Sequence, residues 1–490
     1  MARANRKVVV IGGGITGLTT AFYLQQQLQG QVEVLLLERG STLGGKISSL
    51  RQGGFLVEGG PDSFLAKKTS TLDLCHELGL DDQLTGSKQA QHPTYVWSRG
   101  KLHSMPEGMM LMAPTMIRPF LRSRLISWPG KIRMGCELLI PPAQVKEDES
   151  LGSFVRRRLG AELLDKIAAP LMAGIYAADP ETLSLQSTFP MFPEMEQKYG
   201  GLVRSMLKQR RQKPGATTQA DPTKGRSMFL TLRGGMQQLV DTLLGKLRQG
   251  TILPNQTVAF LTREADHYRV HLTDGTSVLA DDVVLATPAY IAADILQGIE
   301  PTLAAKLREI RYVSTATVSL GFRRSDIAHP LDGYGFVVPF SEQRQITACT
   351  WASQKFDNRA AKDCVLIRVF IGGARAENLA EQDEATLIQL ARQELRITMN
   401  ITAEPLLAKA FCWRKSTPQY EVGHKARVAE IEHVATRHPG LHLAGAAFHG
   451  AGIPDCIQSG ANVAKAIINS YSRHEVQEDD PAIAPLACTQ

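Results

Sequence analysis

The stretch Lys7-Val8-Val9-Val10-Ile11-Gly12-Gly13-Gly14-Ile15-Thr16-Gly17 decides the fold of this chain. A β-branched apolar run such as its first five residues is typical of a buried parallel strand. The run leads into a G-x-G-x-x-G turn. The first glycine of such a turn allows the tight bend, the second lets a pyrophosphate approach the backbone, and the third lets the next helix lie on the strand. The stretch therefore predicts a Rossmann-like unit that binds a dinucleotide.

The residues after this turn favour FAD as the dinucleotide. A second apolar strand, Val32 to Leu37, ends in Glu38, at the distance of about 20 residues where a carboxylate accepts a hydrogen bond from a ribose hydroxyl. Two more glycine-containing stretches follow, Leu43 to Lys46 and Gly59 to Phe64. They let the backbone pass close to an extended ligand, which suits FAD better than NAD. The alternative is a βαβ turn that binds nothing.

Length and composition narrow the class of protein. A chain of 490 residues exceeds what one core usually supports, so two or three domains are expected. The net charge of +7 indicates acidic ligands or an anionic membrane surface, whereas no aromatic-basic module indicates nucleic acid. Seven scattered cysteines favour reduced thiols and a cytoplasmic protein. No apolar run is long enough to cross a bilayer, so a soluble or peripheral protein is expected. No pair of cysteines has metal-ligand spacing, so no metal site is expected.

The middle of the chain, from Lys101 to Arg133, is rich in methionine, proline and arginine, with Glu107 as its one acidic residue. Methionines fill irregular apolar surface, and arginines beside them can reach carboxylates or lipid phosphates. One interpretation is a helical subdomain with a solvated basic face. The other is an apolar tunnel or a membrane-facing surface, and the sequence leaves both open.

The second half of the chain predicts another sheet and a return to the first domain. Five strand-like segments between Tyr312 and Trp413 predict a mostly antiparallel sheet, and a helix from Asp383 to Thr398 would cover one face. A buried strand at Leu441 to Gly445 then leads to a second glycine loop and a helix start, which is a site suited to anions. The predicted fold class is α/β, with a Rossmann-like FAD-binding domain (1–65, 225–295 and 430–475), a mixed-sheet substrate-binding domain (66–90 and 296–429), a helical subdomain (91–224) and a flexible tail (476–490).

Five blocks of sequence carry a family resemblance. They are Gly59 to Phe64, Gly174 to Pro180 with Leu183-Ser184, Gly234 to Leu239, Pro418 to Tyr420 with Gly423-His424, and Gly452 to Ile457. From about Lys7 to Tyr471 the chain resembles the flavin amine oxidase superfamily, and within it the protoporphyrinogen and coproporphyrinogen oxidases. The Pro-Asp-Ser-Phe and Ile-Pro-Asp-Cys-Ile versions resemble the bacterial coproporphyrinogen III oxidase branch most. Ala178, where the family often has glycine, and Ala361, where proline is common, are departures.

The resemblance implies the activity and the cofactor contacts. It implies an oxidoreductase of haem biosynthesis that uses FAD and molecular oxygen to remove six electrons from coproporphyrinogen III, with hydrogen peroxide as by-product. No strong acid or base is demanded, because the gain of aromaticity favours the reaction. The implied FAD contacts come from the glycine loops, the ends of neighbouring strands and the C-terminal helix start: Gly12, Gly13, Gly14, Ile15, Thr16, Gly17, Glu38, Arg39, Gly45, Lys46, Gly60, Pro61, Asp62, Ser63, Val258, Trp413, Ala451, Gly452 and Ile453.

The substrate contacts and several alternatives stay open at this point. Lys68, with Lys67 beside it, is the candidate for binding a propionate, and Ile175 and Tyr176 are candidates for the cavity wall. Protoporphyrinogen IX is the alternative substrate. More distant alternatives are a flavin amine oxidase, a carotenoid desaturase, and a non-enzymatic escort protein of the GDP-dissociation-inhibitor type. Three further points stay open. They are a ferrochelatase as partner, peripheral contact with the inner face of the membrane, and the choice between a monomer and a homodimer.

Overall fold

The computed structural model describes residues 6–88, 93–110, 113–114, 116–143, 147–205, 208 and 227–478. Within these ranges the chain forms a parallel sheet with helices on both faces, a larger mixed sheet, and a helical subdomain. The fold class is therefore α/β, as the sequence predicts.

The parallel sheet is built from three separate parts of the chain. Val8, Val9 and Val10 are fully buried in it, and such continuous apolar runs are typical of strands covered on both faces. Neighbouring strands run parallel throughout. The strand order is Ile252–Leu253, Val32–Leu37, Arg6–Ile11, Asp282–Leu285 and Leu441–Leu443.

Helices cover both faces of this sheet. On one face the glycine-loop helix, Ile15–Leu28, lies against the C-terminal helix, Ile453–Glu478. A Cβ on Gly17 would lie 2.0 Å from the carbonyl oxygen of Gly12, and a Cβ on Gly460 would lie 2.4 Å from that of Thr16. Gly17 therefore lets the helix lie close to its own loop, and Gly460 lets the C-terminal helix pack against the glycine-loop helix, so that the N-terminal and C-terminal parts of the chain meet here. Helix Gln237–Lys246 shares this face, while the other face carries helices Ala289–Leu296, Pro301–Arg308 and His424–Ala435.

A three-stranded antiparallel meander lies in the chain between strands Ile252–Leu253 and Asp282–Leu285 of the parallel sheet. Its strands are Val258–Glu264, His267–Leu272 and Ser277–Ala280. The Asp274 carboxylate accepts a hydrogen bond from the Thr276 backbone N–H at 2.9 Å, which closes the turn between the last two strands. An Asp-Gly pair between two apolar segments is typical of such a hairpin turn.

The second sheet has seven strands and is mostly antiparallel, as predicted. Thr94–Ser98 and Lys101–Ser104 join it, although the sequence assigns them to the helical subdomain. That assignment was wrong for these nine residues, because Val96 and Trp97 bury their side chains on partners over 200 residues away. The strand order is Leu407–Pro418, Tyr312–Arg323, Cys364–Gly372, Ala348–Thr350, Gly335–Val337, Thr94–Ser98 and Lys101–Ser104.

One face of the second sheet is covered by helix Glu384–Met399. The Asp383 carboxylate caps this helix by accepting from the Thr386 N–H at 2.9 Å. Leu387, Ala391 and Leu395 are buried against the apolar side chains of the sheet. On the other face, Leu366 and Leu407 pack with Phe55 and Val57, and Val337 and Ala348 join the core of the helical subdomain.

The helical subdomain is held by a buried ion pair. Arg158 and Glu137 are both fully buried and paired, and the Glu137 carboxylate also accepts from the Leu202 N–H at 2.8 Å. Breaking such a pair leaves an uncompensated buried charge, so the pair fixes the turns that carry it. The helices are Ile117–Arg122, Trp128–Gly135, Leu151–Arg158, Ala161–Leu163, Ala169–Tyr176, Leu185–Thr188 and Met191–Tyr199, with a π-helix at Leu164–Ala168.

Smaller elements complete the described chain. In it, no helix is both long and apolar enough to cross a membrane. The predicted tail starts inside the C-terminal helix, which continues to Glu478, and its residues 479–490 lie outside the described ranges. The remaining elements are strands Ser49–Gln52, Phe55–Glu58, Phe64–Leu65, Leu84–Gly86, Met109–Met110, Ala113–Pro114 and Phe229–Leu232, helices Ser70–Glu77, Ala352–Lys355 and Glu377–Ala380, and the 3-10 turns Asp81–Gln83, Cys136–Leu139, Arg324–Asp326 and Phe340–Glu342.

Candidate cofactor and substrate site

The glycine loop ends at an uncapped helix. The glycine-loop helix begins at Ile15 with Gly14 as its N-cap, and no side chain there accepts from the first backbone N–H groups. Such free N–H groups and the positive end of the helix dipole favour a phosphate.

Gly14 shows that this loop has room for a ligand. Its backbone has φ −74° and ψ 175°, which any residue adopts, and a Cβ built on it meets nothing within 4 Å. The protein itself therefore does not require glycine at this position, but a pyrophosphate beside the backbone does. Gly44 lies opposite and donates its N–H to the Gly13 carbonyl at 2.8 Å. These residues fit the diphosphate of FAD.

Glu38 lies at the end of the second strand, as predicted. One carboxylate oxygen accepts from the Gly13 N–H and the other from the Gly40 N–H, both at 2.8 Å. Each oxygen has lone pairs left for a ribose hydroxyl. The Gln256 N–H donates to the Glu38 carbonyl at 2.8 Å, which brings the strand that begins at Val258 to the same end of the site. Arg39 is exposed beside Glu38.

Lys46 and Trp413 connect the glycine loops to the second sheet. The Lys46 ammonium donates to the Ser416 carbonyl at 2.8 Å, and burial lowers the pKa of Lys46. The Trp413 indole N–H donates to the Gly59 carbonyl at 2.9 Å. Trp413 is thus held against the loop that contains Gly60 to Ser63, next to Gly45 and Lys46.

Asp62 is the centre of a charge cluster at this loop. Lys355 Nζ lies 3.1 Å from both oxygens of its carboxylate, and Ser63 Oγ donates to it at 2.6 Å. Arg368 is buried on strand Cys364–Gly372 of the second sheet and donates to the Gly59 carbonyl at 3.3 Å. Burial raises the pKa of Asp62, but Lys355 and Arg368 outweigh it and hold that pKa well below the usual range. Asp62 is therefore an anion in the folded protein.

The second glycine loop lies where the C-terminal helix begins. Ala451 packs against the core of the helical subdomain, and Gly452 and Ile453 start the helix. Lys68, the predicted propionate ligand, lies at this loop and forms an ion pair with Asp455. Lys67 is exposed.

Tyr176 and Ile175 lie at the end of helix Ala169–Tyr176. The Tyr176 ring packs edge-on against Phe189 at 5.8 Å and lies 6.4 Å from the ring of Tyr420. Burial raises the pKa of Tyr176 to about 12, so its phenol is neutral at physiological pH. Ile175 is 56% exposed. Tyr176 packs against the core of the helical subdomain, as do the apolar side chains of Leu171, Phe340 and Phe370.

The structure brings most of the predicted residues into one connected site. The loops at 12–17, 45–46, 60–63 and 451–453 surround it with Trp413, while Val258 and Arg39 lie at its Glu38 end. Their individual roles stay predictions. Sequence reasoning missed Lys355, Arg368 and Asp455 as site residues. A charged Arg368 inside the apolar run Val365 to Ile371 was a readable signal, whereas no local pattern pointed to Lys355.

Comparison with known proteins agrees with this geometry. The family model described as flavin containing amine oxidoreductase matches residues 15–468. The chain is 36% identical over 477 residues to coproporphyrinogen III oxidase of Bacillus subtilis (strain 168), covering 96% of this chain and 100% of the relative. It is 30% identical to protoporphyrinogen oxidase of Homo sapiens, covering 95% and 99%. A crystal structure from Exiguobacterium sp. 255-15, provisionally assigned as a protoporphyrinogen oxidase, has TM-score 0.84 and 31% identity, covering 95% and 99%.

A side chain at Gly14 should block the cofactor without harming the fold. We expect Gly14→Val to keep the wild-type thermal midpoint but to bind FAD more weakly by roughly tenfold or more, because a branched side chain would fill the space that the pyrophosphate needs. FAD titration of the apoprotein measures this. The matched control is Gly245→Val, where a Cβ also meets nothing within 4 Å. Equal FAD affinity in both variants would contradict the assignment.

His424 should make the protein less stable in acid. Its ring is 1% exposed and stacks on Tyr420 at 4.3 Å, and burial lowers its pKa from 6.5 to about 4. The unfolded chain therefore takes up this proton first as the pH falls, and stability is lost between about pH 6.5 and 4. The contribution is about 2 kcal/mol between pH 7 and pH 5.

Urea denaturation at the two pH values tests this, with His424→Gln as the variant and exposed His433→Gln as the control. The acid-induced loss should be smaller in His424→Gln by about 2 kcal/mol and unchanged in His433→Gln. The same loss in all three proteins would refute the role of His424.

Proposed function

The chain belongs to the flavin containing amine oxidoreductase family, and on this premise we propose that it oxidises coproporphyrinogen III to coproporphyrin III in haem biosynthesis, with FAD as its cofactor. The observation that carries the proposal is the 36% identity, over almost the full length of both chains, to coproporphyrinogen III oxidase of Bacillus subtilis. The open space at Gly14 and the Glu38 carboxylate support the cofactor.

The residues of the site suit this substrate. Coproporphyrinogen III is an apolar, puckered macrocycle that carries four propionates at its edge. FAD, when bound, accepts a hydride and so removes two electrons at a time, which makes three turnovers for the six-electron oxidation. The side chains of Leu171, Phe340 and Phe370 offer an apolar wall, and the neutral Tyr176 phenol adds no charge to it. The protein contributes orientation and charge rather than an acid or a base.

Molecular oxygen is the proposed electron acceptor. The sequence contains one complete dinucleotide fingerprint, at Gly12 to Gly17, so a second nicotinamide site has no sequence support. The balanced reaction takes one coproporphyrinogen III and three oxygen molecules to one coproporphyrin III and three hydrogen peroxide molecules.

Lys68 is the proposed propionate ligand, with Lys67 beside it. Both follow the loop that contains Asp62 and Ser63, and Lys68 reaches the start of the C-terminal helix. A lysine ammonium binds a carboxylate as a point charge. Its side chain is 51% exposed, so a substrate carboxylate can reach it.

Porphyrin formation tests the function directly. The FAD-loaded protein, given coproporphyrinogen III in air, should produce the Soret band of coproporphyrin III and three peroxides per porphyrin. Protoporphyrinogen IX, assayed at the same concentration, should be the poorer substrate, and Gly14→Val should lower both signals when FAD is subsaturating. Absence of a Soret band with either porphyrinogen would reject the proposal, and preference for protoporphyrinogen IX would reject its substrate.

A membrane contact is the second part of the proposal. The helical subdomain exposes an apolar face, defined by Leu121, Trp128, Ile132 and Leu139, with exposed fractions of 43%, 65%, 66% and 81%. The exposed arginines Arg118, Arg122 and Arg124 lie on the same segment. Apolar side chains beside basic ones favour the surface of an anionic bilayer.

Vesicle binding tests this face. Replacing Trp128 and Ile132 together by serine should weaken binding to vesicles with anionic lipid by roughly tenfold or more, because two large apolar side chains would no longer enter the bilayer surface. The matched control replaces Ile397 and Leu406, which are 50% and 54% exposed outside the helical subdomain. Sedimentation with vesicles measures both, and no binding by the wild type would overturn the proposal.

A further inference from the structure

The ion pair between Lys68 and Asp455 joins two distant parts of the site. Lys68 Nζ lies 2.6 Å from one oxygen of the Asp455 carboxylate and 2.8 Å from the other. The pair therefore uses both carboxylate oxygens and cancels the charge of the lysine. The residues are 387 positions apart in the chain.

Asp455 is held firmly in place. It is the third residue of the C-terminal helix, where a carboxylate interacts well with the helix dipole. A Cβ on Gly450 would lie 2.4 Å from its carboxyl carbon, so the second glycine loop rests directly on it. Next to it, Ser70 Oγ donates to the Pro454 carbonyl at 2.7 Å. The segment that contains Lys68 and Ser70 is thus attached to the start of the C-terminal helix at two points, Asp455 and Pro454.

The pair is open to a competing carboxylate. The Lys68 side chain is 51% exposed and that of Asp455 is 19% exposed. Exposed pairs of this kind contribute little net stability, so another carboxylate can displace one partner. Burial and then the charge of Asp455 raise the pKa of Tyr176. Asp455 therefore acts electrostatically on Tyr176 as well as on Lys68.

We propose that Asp455 is a positioning residue that limits how tightly Lys68 holds a substrate propionate. This inference rests on the proposed function. An incoming propionate must displace the Asp455 carboxylate before it gains the full charge of Lys68. The exchange weakens binding of substrate and of the equally charged product, which leaves the site after each six-electron oxidation. Its effect should be greater for a tetrapyrrole with four propionates than for one with two.

Binding of the porphyrin products tests this without turnover. Coproporphyrin III and protoporphyrin IX are titrated into the FAD-loaded protein, and quenching of their fluorescence gives Kd. Asp455→Asn should bind coproporphyrin III roughly threefold to tenfold more tightly than the wild type, because Lys68 is no longer neutralised, and the gain should be smaller for protoporphyrin IX. Asp455→Glu keeps the charge, and Ser70→Ala removes only the neighbouring hydrogen bond, so both should stay close to the wild type.

The gain must also depend on Lys68. In Lys68→Met with Asp455→Asn, the affinity for coproporphyrin III should return to the wild-type value or below it. In the assay with coproporphyrinogen III, Asp455→Asn should lower KM while the rate of flavin reduction in a single turnover stays unchanged. A purely structural role for Asp455 would lower both affinity and thermal midpoint instead.

Three results would overturn the inference. They are weaker or unchanged binding of coproporphyrin III by Asp455→Asn, a gain that persists without Lys68, and a gain of equal size for protoporphyrin IX. Each of them leaves the proposed function intact as long as the wild type forms coproporphyrin III. If the wild type forms no porphyrin at all, the proposed function itself fails.

Discussion

Close contact between the glycine-loop helix and the C-terminal helix is the constraint on which the site depends. Gly460 allows it, because a Cβ at this position would lie 2.4 Å from the Thr16 carbonyl oxygen. Thr20 adds a hydrogen bond from its hydroxyl to the Gly460 carbonyl at 3.2 Å. The contact places the first glycine loop beside the second, so that two helix N-termini lie at the proposed FAD site. Neither end of the chain forms a cofactor site alone.

The second sheet and the short helix Ala352–Lys355 place two positive charges next to the loop at Gly59 to Ser63. Arg368 and Lys355 come from different elements of the substrate-binding region, yet both act on the loop at Gly59 to Ser63. Buried charges of this kind are costly unless paired, and Asp62 provides the pairing. The same loop receives the Trp413 indole. The loop at Gly59 to Ser63 and the second sheet are therefore held in a fixed relation to each other.

Local patterns were sufficient for the first domain and insufficient for its surroundings. The G-x-G-x-x-G turn, Glu38 and the apolar strands each have a short-range signature, and the α/β fold and the FAD cofactor were predicted correctly from them. The family was predicted correctly from the resemblance that the five sequence blocks carry. Strands Thr94–Ser98 and Lys101–Ser104 carry only a short signal, since their register depends on Gly335–Val337 far along the chain. The pairing of Lys68 with Asp455 likewise joins residues that are far apart in the chain. Contacts between distant residues follow from the tertiary fold, which no window of sequence contains.

The parallel sheet has a consequence for biosynthesis. Its edge strand, Leu441–Leu443, pairs with Asp282–Leu285, which in turn pairs with the very first strand. A nascent chain therefore carries an unfinished sheet with an unpaired edge until nearly all of it has left the ribosome. FAD has no complete place to bind before that moment. We therefore expect the cofactor to load after this segment has been synthesised, so that a chain ending before Leu441 should be colourless rather than partly active.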